Sequence, residues 1–403
     1  MKNSITMISA AVASLSLSST LHANDMNPAI SLTLQGQYAG YEQDPASYEL
    51  PGFMMGGEAG LNEEGFGLGH GELVMSSNID DRFFGKLTLA IADHEGKTET
   101  ELEEAFIETV GLDYGLTVKA GRFFSDIGYL NNQHNHAWEF IDAPLIYRGL
   151  FGNQLIDDGL QLRWLAPTDL YLQLGAEFAR GERFPSGGAD NDGKGTSMLF
   201  AELGGDVGDS HSWQLGLSHW TSDVVGRESG GHAHGGGATE TPSFTGDSEI
   251  SAIDMVWKWA PQGNYSQRNL TLQFEYFQRK EDGNVEMFNA NGVTTGETTT
   301  YNGEQDGWYA QAVYQFMPRW QAGLRYDQLD SDNLGSDDVV LGEAGLDNEN
   351  HTPKRTSIML EHNHSEFSLV RLQFNKDESY ENSDDQVYLQ YVMSIGAHGA
   401  HSF

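Results

Sequence analysis

The sequence predicts an all-β transmembrane antiparallel barrel of about sixteen strands with an inward-folded third outer loop. Apolar and polar residues alternate in many segments, as where Trp308, Ala310, Ala312 and Tyr314 are interleaved with polar neighbours. Such alternation places apolar side chains on one face of a strand. The runs have the ~10-residue length of a tilted strand that crosses a bilayer, and no later apolar run reaches the ~20 residues of a membrane-spanning helix.

The N-terminus has the pattern of an exported protein. Lys2 precedes a mildly apolar stretch over 5–17, and Leu21-His22-Ala23 followed by Asn24 resembles a signal-peptidase site. We therefore expect residues 1–23 to be a signal peptide and 24–403 to form a barrel in the outer membrane of a Gram-negative bacterium. The alternative is a soluble periplasmic β-sandwich, but the strands of such domains are typically only ~5–6 residues long.

The strands are predicted in order along the chain, and their connections alternate between short and long. Outer-membrane barrels have an even strand count, short periplasmic turns and long outer loops, so both termini are expected in the periplasm. The predicted strands are 29–41, 66–79, 82–93, 102–112, 115–123, 157–165, 169–180, 195–205, 211–222, 248–259, 267–280, 306–317, 319–328, 352–362, 366–375 and 385–395. The long connections are 42–65, 94–101, 124–156, 181–194, 223–247, 281–305, 329–351 and 376–384.

Composition excludes several classes of protein. The absence of cysteine excludes disulfides and thiol catalysis. The net charge of -37, with 22 Lys and Arg against 59 Asp and Glu, argues against nucleic acid as a partner, because binding it requires cations that neutralise phosphates. Much of the negative charge lies in loops 42–65 and 329–351, where it would attract cations to the mouth of a channel. Bridging to lipopolysaccharide through divalent ions, or simple solubility, is the alternative role for these loops.

Several short motifs carry a resemblance to known barrels. They are Gly121-Arg122-Phe123-Phe124, His134-Asn135-His136-Ala137-Trp138, Asp142-Ala143-Pro144, Asp158-Gly159-Leu160-Gln161 and the tail from Gly396 to Phe403. With the long third outer loop over 124–156, the chain resembles the Gram-negative porins. It is similar in particular to phosphate-selective porins and to barrels labelled zinc-regulated TonB-dependent outer-membrane receptors. The resemblance implies a third loop that narrows the pore, and a homotrimer.

Two features depart from the closer relatives in that resemblance. TonB-dependent receptors carry a plug domain in a barrel of 22 strands, and no plug fits between Asn24 and Ala29. Passive diffusion is therefore expected rather than energised transport. The excess of acidic residues disfavours phosphate and favours cations or neutral solutes.

Strand parity and the third loop predict the charged residues that line the pore and its constriction. Such residues set ion preference when they form charged rings or patches, although they could instead simply solvate a wet lumen. The predicted set is Lys119, Asp126, Glu139, Asp142, Arg163, Glu177, Glu275, Arg325, Asp327 and Arg371.

Histidines occur in four close pairs that could hold a metal ion. Imidazole is a common ligand of Zn²⁺, and nearby carboxylates could complete a site. No pair has the spacing of a known structural zinc site, so exposed polar histidines are the alternative interpretation. The pairs are His134 with His136, His232 with His234, His362 with His364, and His398 with His401.

These observations predict a porin-like channel for passive diffusion of small solutes, with zinc or other divalent cations as candidates. Outer-membrane lipid and lipopolysaccharide are the expected surroundings. An enzyme is not expected, because Ser218 and His219 point to opposite faces of one strand and no Gly-x-Ser-x-Gly motif occurs. A structural or adhesin barrel, or a metal-binding receptor without a diffusion role, remains the alternative.

Overall fold

A computed structural model describes residues 28–94, 97–187, 195–229, 240–380 and 382–396. The first strands are β1 Ala29–Gly40, β2 Gly65–Leu68, β3 Gly71–Asn78, β4 Phe83–His94, β5 Lys97–Thr109, β6 Leu116–Phe124, β7 Ile156–Leu165, β8 Tyr171–Ala179 and β9 Thr196–Val207. The remaining strands are β10 His211–Glu228, β11 Thr241–Trp259, β12 Asn269–Phe288, β13 Thr294–Met317, β14 Trp320–Gly335, β15 Lys354–Ser365, β16 Ser368–Glu378 and β17 Asp384–Gly396.

The described helices are short. They are α1 Leu145–Phe151 and α2 Asp338–Glu343, with single 3-10 turns at Pro45–Ser47, Asp113–Gly115, Asn135–Ala137 and Pro261–Gly263. None of the helices in these ranges is long and apolar enough to cross a membrane.

The strands form one closed antiparallel barrel. From β3 onward each strand pairs with the next one in the sequence, and β1 closes the sheet by pairing with β17 in a register that sets Leu34 opposite Met393. Both β2 and β3 pair with β1, so they are two parts of one interrupted strand. The barrel therefore has sixteen strand positions, and the prediction of an all-β barrel with sixteen strands is confirmed.

The two faces of the barrel have opposite chemistry. In β13, Tyr309, Gln311 and Val313 are buried, while Trp308, Ala310 and Ala312, which alternate with them, are partly exposed. Large apolar side chains such as Leu160, Leu199, Leu217, Leu272 and Phe274 are exposed on other strands. The opposite face carries buried polar side chains, among them Gln35, Gln273, Arg279, Arg355, Gln373 and Gln390. An apolar exterior around a polar interior is the pattern of a barrel in lipid.

Five consecutive strands are longer than predicted. Strands β10 to β14 contain 18, 19, 20, 24 and 16 residues, so much of the connections 223–247 and 281–305, and the first residues of 329–351, are paired strand rather than loop. The predicted connection 94–101 is likewise mostly strand, because β4 ends at His94 and β5 begins at Lys97. The extensions lack alternating apolar residues on the outer face, so the two-residue apolar period predicts an end of each strand that is too early.

Two long connections pack against the buried face of the barrel. Segments 42–64 and 124–156 supply Leu50, Phe53, Ile146, Leu150 and Phe151 to an apolar cluster that also contains side chains of β9 to β14. The two segments also join each other, because the backbone N–H of Glu58 donates to the carbonyl of Gly152. This apolar packing departs from the expectation of a wet, polar lumen.

Helix α1 lies within segment 124–156 and is buried along its whole length. It begins after Pro144 and ends at Gly152, whose φ of 61° is the left-handed conformation that glycine adopts without strain. The backbone N–H of Leu145 donates to Asp327 Oδ1 at 2.9 Å, and Arg325 Nε donates to Asp327 Oδ2 at 3.1 Å. The wall strand β14 therefore holds the first turn of the helix.

Candidate functional site

Asp142 joins the 124–156 loop to strands β14, β15 and β16. Its Oδ1 accepts from Arg325 Nη2 at 2.7 Å and Gln373 Nε2 at 2.8 Å. Its Oδ2 accepts from Arg355 Nη1 at 2.9 Å and Asn375 Nδ2 at 2.7 Å. Burial alone would raise the pKa of Asp142, but Arg355 and Arg325 hold that pKa well below its usual range. The carboxylate is thus a charged, fully bonded anchor of the loop.

Glu275 anchors the same loop to the wall on β12. It accepts the backbone N–H of Tyr129 at 2.9 Å and of Leu130 at 3.2 Å, and the hydroxyl of Tyr147 at 2.8 Å. The hydroxyl of Tyr309, on the adjacent strand β13, also donates to it. One wall carboxylate therefore satisfies two backbone donors of the loop, as side-chain anchors of irregular buried backbone must.

Glu177 and Asp126 form a third contact, at the start of the loop. Glu177 accepts from the Ser125 hydroxyl at 2.6 Å and from the Asp126 backbone N–H at 2.9 Å. Gln161 Nε2 reaches both carboxylates, at 2.7 Å to Glu177 and 3.1 Å to Asp126. Two acidic side chains are thus held close together without a cation between them among the described residues.

Glu139 and Arg371 occupy opposite sides of a small polar network. Gln321 Nε2 donates to Glu139 at 3.0 Å and to Glu361 at 2.8 Å, and Arg371 Nη2 pairs with Glu361 at 2.6 Å. Burial, followed by the nearby charge of Glu361, raises the pKa of Glu139 to about 7. This loop carboxyl therefore changes charge near neutral pH.

The other two predicted pore-lining cations, Lys119 and Arg163, contact side chains of β5 and β6. Lys119 Nζ lies 4.9 Å and 5.3 Å from the ring centroids of Phe106 and Phe123. Arg163 pairs with Glu108. Of the ten predicted residues, Asp126, Glu139 and Asp142 belong to the loop, and Glu177, Glu275, Arg325 and Asp327 bond it directly. The pore-lining role of all ten residues stays a prediction.

A cavity of about 440 Å³ lies between the start of the loop and strands β7 to β11. Its described lining includes the carboxylates of Asp126, Glu202, Asp206 and Asp254 and one guanidinium, that of Arg163. The charge of the lining is therefore net negative. Such a cavity attracts cations and repels anions.

Histidines and carboxylates converge on the other side of the barrel, where the loop meets β3 and β5. The His–Glu cluster comprises His70, Glu72, Glu103, His134 and His136. His70 Nε2 lies 2.8 Å from Glu103 and 3.9 Å from Glu72, and His134 Nδ1 lies 2.9 Å from Glu72. His136 Nδ1 lies 2.9 Å from the other oxygen of Glu72. Both carboxylates are buried, with Glu72 0% exposed.

Among the described residues, the histidines supply the positive charge that faces Glu72 and Glu103, and Lys86 pairs with Glu104 beside them. Burial would lower the pKa of His134, but Glu72, Glu103 and Glu104 hold that pKa well above its ordinary value. The site is therefore suited to positive charge, whether carried by a proton or by a metal ion.

Of the two predicted histidine pairs that lie within the described residues, one falls in this cluster. His134 and His136 meet partners that the sequence analysis did not select, namely His70, Glu72 and Glu103. The pair His362 and His364 lies at the turn between β15 and β16, where His362 stacks on Trp320 with ring centroids 4.4 Å apart. The pairs His232 with His234 and His398 with His401 lie outside the described residues, as does the predicted signal peptide 1–23.

A feature of β5 explains why the wall ligands were missed. Thr88 pairs with Glu104 and Leu89 pairs with Leu102, so Glu103 is the extra residue of a β-bulge. A bulge re-aims a side chain and breaks the two-residue period, which turns Glu103 and Glu104 to the same buried face. The sequence signal that could have found them is the acidic doublet itself, in a strand where alternation allows only one inward charge.

The comparisons with known proteins agree with this architecture. No protein-family model matches the chain. An uncharacterized protein of Aquifex aeolicus (strain VF5) is 31% identical over 406 residues, covering 93% of this chain and 80% of the relative. The chain belongs to the family of this Aquifex protein. The resemblance of this chain to phosphate-selective porins and to barrels labelled zinc-regulated TonB-dependent receptors stays a prediction.

Solved structures of outer-membrane proteins share the fold of this Aquifex family member. A loop L8 deletion mutant of OmpT from Vibrio cholerae has a TM-score of 0.54 at 11% identity, covering 92% of this chain and 99% of that one. OmpF of Salmonella typhi, in complex with daunomycin, has a TM-score of 0.54 at 12% identity with the same coverage. The outer membrane channel DcaP of Acinetobacter baumannii has a TM-score of 0.51 at 13% identity, covering 91% and 97%.

Proposed function

We propose that this protein is a porin-like diffusion channel of a Gram-negative outer membrane that passes small cationic or neutral solutes. The single observation that carries the proposal is the acid-lined cavity between the 124–156 loop and strands β7 to β11 of a closed sixteen-strand barrel. A barrel of this size is wide enough for an aqueous path. The apolar cluster fills part of the interior, so the cavity is the path that we assign to solutes.

The 124–156 loop is the constriction in this proposal. It contacts the buried face on several sides, through Asp142 at β14 to β16, Glu275 at β12 and Glu177 at β8. A loop held at separate points around the wall is folded inward and keeps a fixed cross-section. The contacts that anchor the loop therefore determine the size of the pore.

Cation preference follows from the charge of the cavity. Glu202 and Asp254 face Asp126 across it, and Arg163 is the one basic group of the described lining. Fixed carboxylates in a narrow, poorly screened passage raise the local concentration of cations. We expect this field to raise the local concentration of zinc and other divalent cations most strongly. Phosphate is disfavoured for the same reason.

The surroundings follow from the same proposal. The apolar outer face contacts outer-membrane lipid, and the acidic outer loops approach lipopolysaccharide. One of the similar solved structures, OmpT of Vibrio cholerae, is described in a trimer form. We propose a homotrimer for this chain as well, to be measured by native mass spectrometry in detergent.

Planar-bilayer recording of the purified protein tests the channel. We expect discrete single-channel steps and, across a KCl gradient, a reversal potential of the sign given by K⁺ permeation. Conductance with anion preference would contradict cation selectivity. No steps from a protein whose gel mobility is heat-modifiable, and which is therefore folded, would favour a structural barrel or adhesin.

The His–Glu cluster favours a second candidate function, a metal-binding receptor without a diffusion role. Such a protein would bind metal in the same preparation and show no conductance steps. The two measurements together separate the candidates.

A further inference from the structure

We propose that the His–Glu cluster is a binding site for a divalent first-row transition metal, with Zn²⁺ as the best fit. The three core ligands are His70 Nε2, Glu72 and Glu103, His134 Nδ1 is the fourth ligand that we assign beside Glu72, and His136 orients Glu72 from outside. This inference does not depend on conduction. It assigns a resident structural ion rather than a transported one.

The distances among the donor atoms suit a small cation. His70, Glu72 and Glu103 offer ligand atoms that all lie within 4.8 Å of one another. Two ligands of a tetrahedral zinc ion with bonds of ~2.0–2.1 Å lie ~3.3 Å apart. The closest separations in the cluster lie on either side of that distance: 2.8 Å from His70 to Glu103, 2.9 Å from His134 to Glu72 and 3.7 Å from His134 to Glu103.

Three buried atoms of the cluster lack hydrogen bonds and face one another. Glu72 Oε2, Glu103 Oε2 and His134 Nδ1 have no hydrogen-bond partner among the described residues. They are close without being aligned as donor and acceptor. Buried polar atoms are otherwise almost always satisfied, and a cation between them would satisfy all three at once.

The charge count also suits a divalent ion. Two ionised carboxylates, Glu72 and Glu103, with neutral histidines sum to a charge that a divalent cation cancels. Glu72 and Glu103 are 0% and 6% exposed, so uncompensated charge there would be costly. Nitrogen and carboxylate ligands together are the set that Zn²⁺ accepts.

A second layer of contacts fixes His134 in the orientation that a metal ligand requires. Glu104 Oε2 lies 2.8 Å from His134 Nε2, so with a metal bound the ring N–H at Nε2 would donate to Glu104 and the Nδ1 lone pair would face the cluster. Lys86 Nζ lies 2.5 Å from the same carboxylate and holds it in place. A carboxylate that orients a ligating imidazole is the usual outer shell of protein zinc sites.

The site would link parts of the chain that are far apart in sequence. His70 lies at the interruption between β2 and β3, Glu72 on β3 and Glu103 in the bulge of β5, whereas His134 comes from the 124–156 loop. The ion would thus fasten the loop to the wall on the side away from the Asp142 anchor. Its function would be to fix the loop.

Calorimetric titration of the folded barrel in detergent, stripped with a chelator and then given ZnCl₂, tests the site. The histidines outside the described residues could also bind zinc, so the background variant replaces His232, His234, His398 and His401 with Asn. We expect one zinc ion per chain to bind this background. His70→Ala and, independently, Glu103→Gln should each weaken binding by roughly 100-fold or more, and Glu104→Gln by about 10- to 100-fold.

The matched control is His362→Ala, a histidine at the β15–β16 turn outside the cluster, which should leave the affinity unchanged. Heat-modifiable gel mobility establishes that each variant is folded. Absence of stoichiometric binding in the background variant would overturn the proposal and leave an ion-pair cluster. Binding that survives both His70→Ala and Glu103→Gln would also overturn it. Conductance is measured separately, so failure of the channel and failure of the metal site are distinguishable.

Discussion

Removing the charge of Asp142 should release one side of the 124–156 loop. Asp142 is 7% exposed and Arg355 0% exposed, so this is a buried pair rather than a surface one. Breaking a buried pair by removing one partner typically costs ~3–5 kcal/mol. Asp327 remains 3.1 Å from Arg325 and 3.6 Å from Arg355, so part of the compensation survives.

The expected cost of Asp142→Asn is therefore at the lower end, about 3 kcal/mol. At ~1.4 kcal/mol per factor of ten, the docking equilibrium of the loop shifts by roughly 100-fold. Single-channel recording should then show a larger and noisier conductance than the wild type. Protease digestion of the folded barrel should cut within 124–156 faster.

The control for Asp142→Asn is Asp332→Asn. It removes the same charge from an exposed position on β14, beyond the predicted membrane band, and should leave conductance noise unchanged. If Asp142→Asn gives wild-type conductance and wild-type proteolysis, the loop is held elsewhere, and the assignment of Asp142 as a principal anchor is wrong.

Three further predictions concern the loop and the cavity. Because the raised pKa of Glu139 is about 7, this carboxyl should gain a proton between pH 8 and pH 6; infrared difference spectra of the folded barrel across that range should contain a carboxyl band with a midpoint near pH 7, and Glu139→Gln should remove that band. Gly152→Ala should lower thermal stability by ~1–3 kcal/mol, because φ is +61° and a Cβ would lie 2.3 Å from a backbone oxygen, whereas Gly342→Ala meets open space. Glu202→Gln combined with Asp254→Asn should reduce the cation-to-anion permeability ratio in reversal-potential measurements, because both side chains line the acidic cavity.

Each of these has an outcome that would contradict it. A carboxyl band that persists in Glu139→Gln would assign the titration to another group. Equal melting temperatures for Gly152→Ala and Gly342→Ala would show that the helix end tolerates a side chain. An unaltered permeability ratio would remove the cavity from the solute path.

Much of the barrel could be predicted because its physical cause is local. Lipid on one side and polar groups on the other impose a two-residue period, as in the ladder around Trp308, and that period located all sixteen strand positions. It failed for the extensions of β10 to β14, where no lipid faces the strand and the pattern ends although the backbone pairing continues.

The site was predictable only in part because it depends on distant contacts. His134 and His136 were selected as neighbours in sequence, but their partners come from β3 and β5. Parity placed Arg325 and Asp327 on the inner wall, and both side chains are buried. Parity could not reveal that Asp142 would bond to Arg325 and Arg355, because the periodicity of the strands carries no information about the path of a loop across the barrel.

The extended hairpins formed by β10 to β14 project from one side of the barrel as paired strands. Strand β13 has 24 residues, which at ~3.4 Å each is roughly 80 Å of ribbon, or about 60 Å of height once tilted by ~40°. The lipid-facing band is only ~25 Å tall. Paired backbone of this kind resists the local unfolding that proteases require, so in the proposed outer-membrane channel this flank would present a folded surface to antibodies rather than a linear peptide.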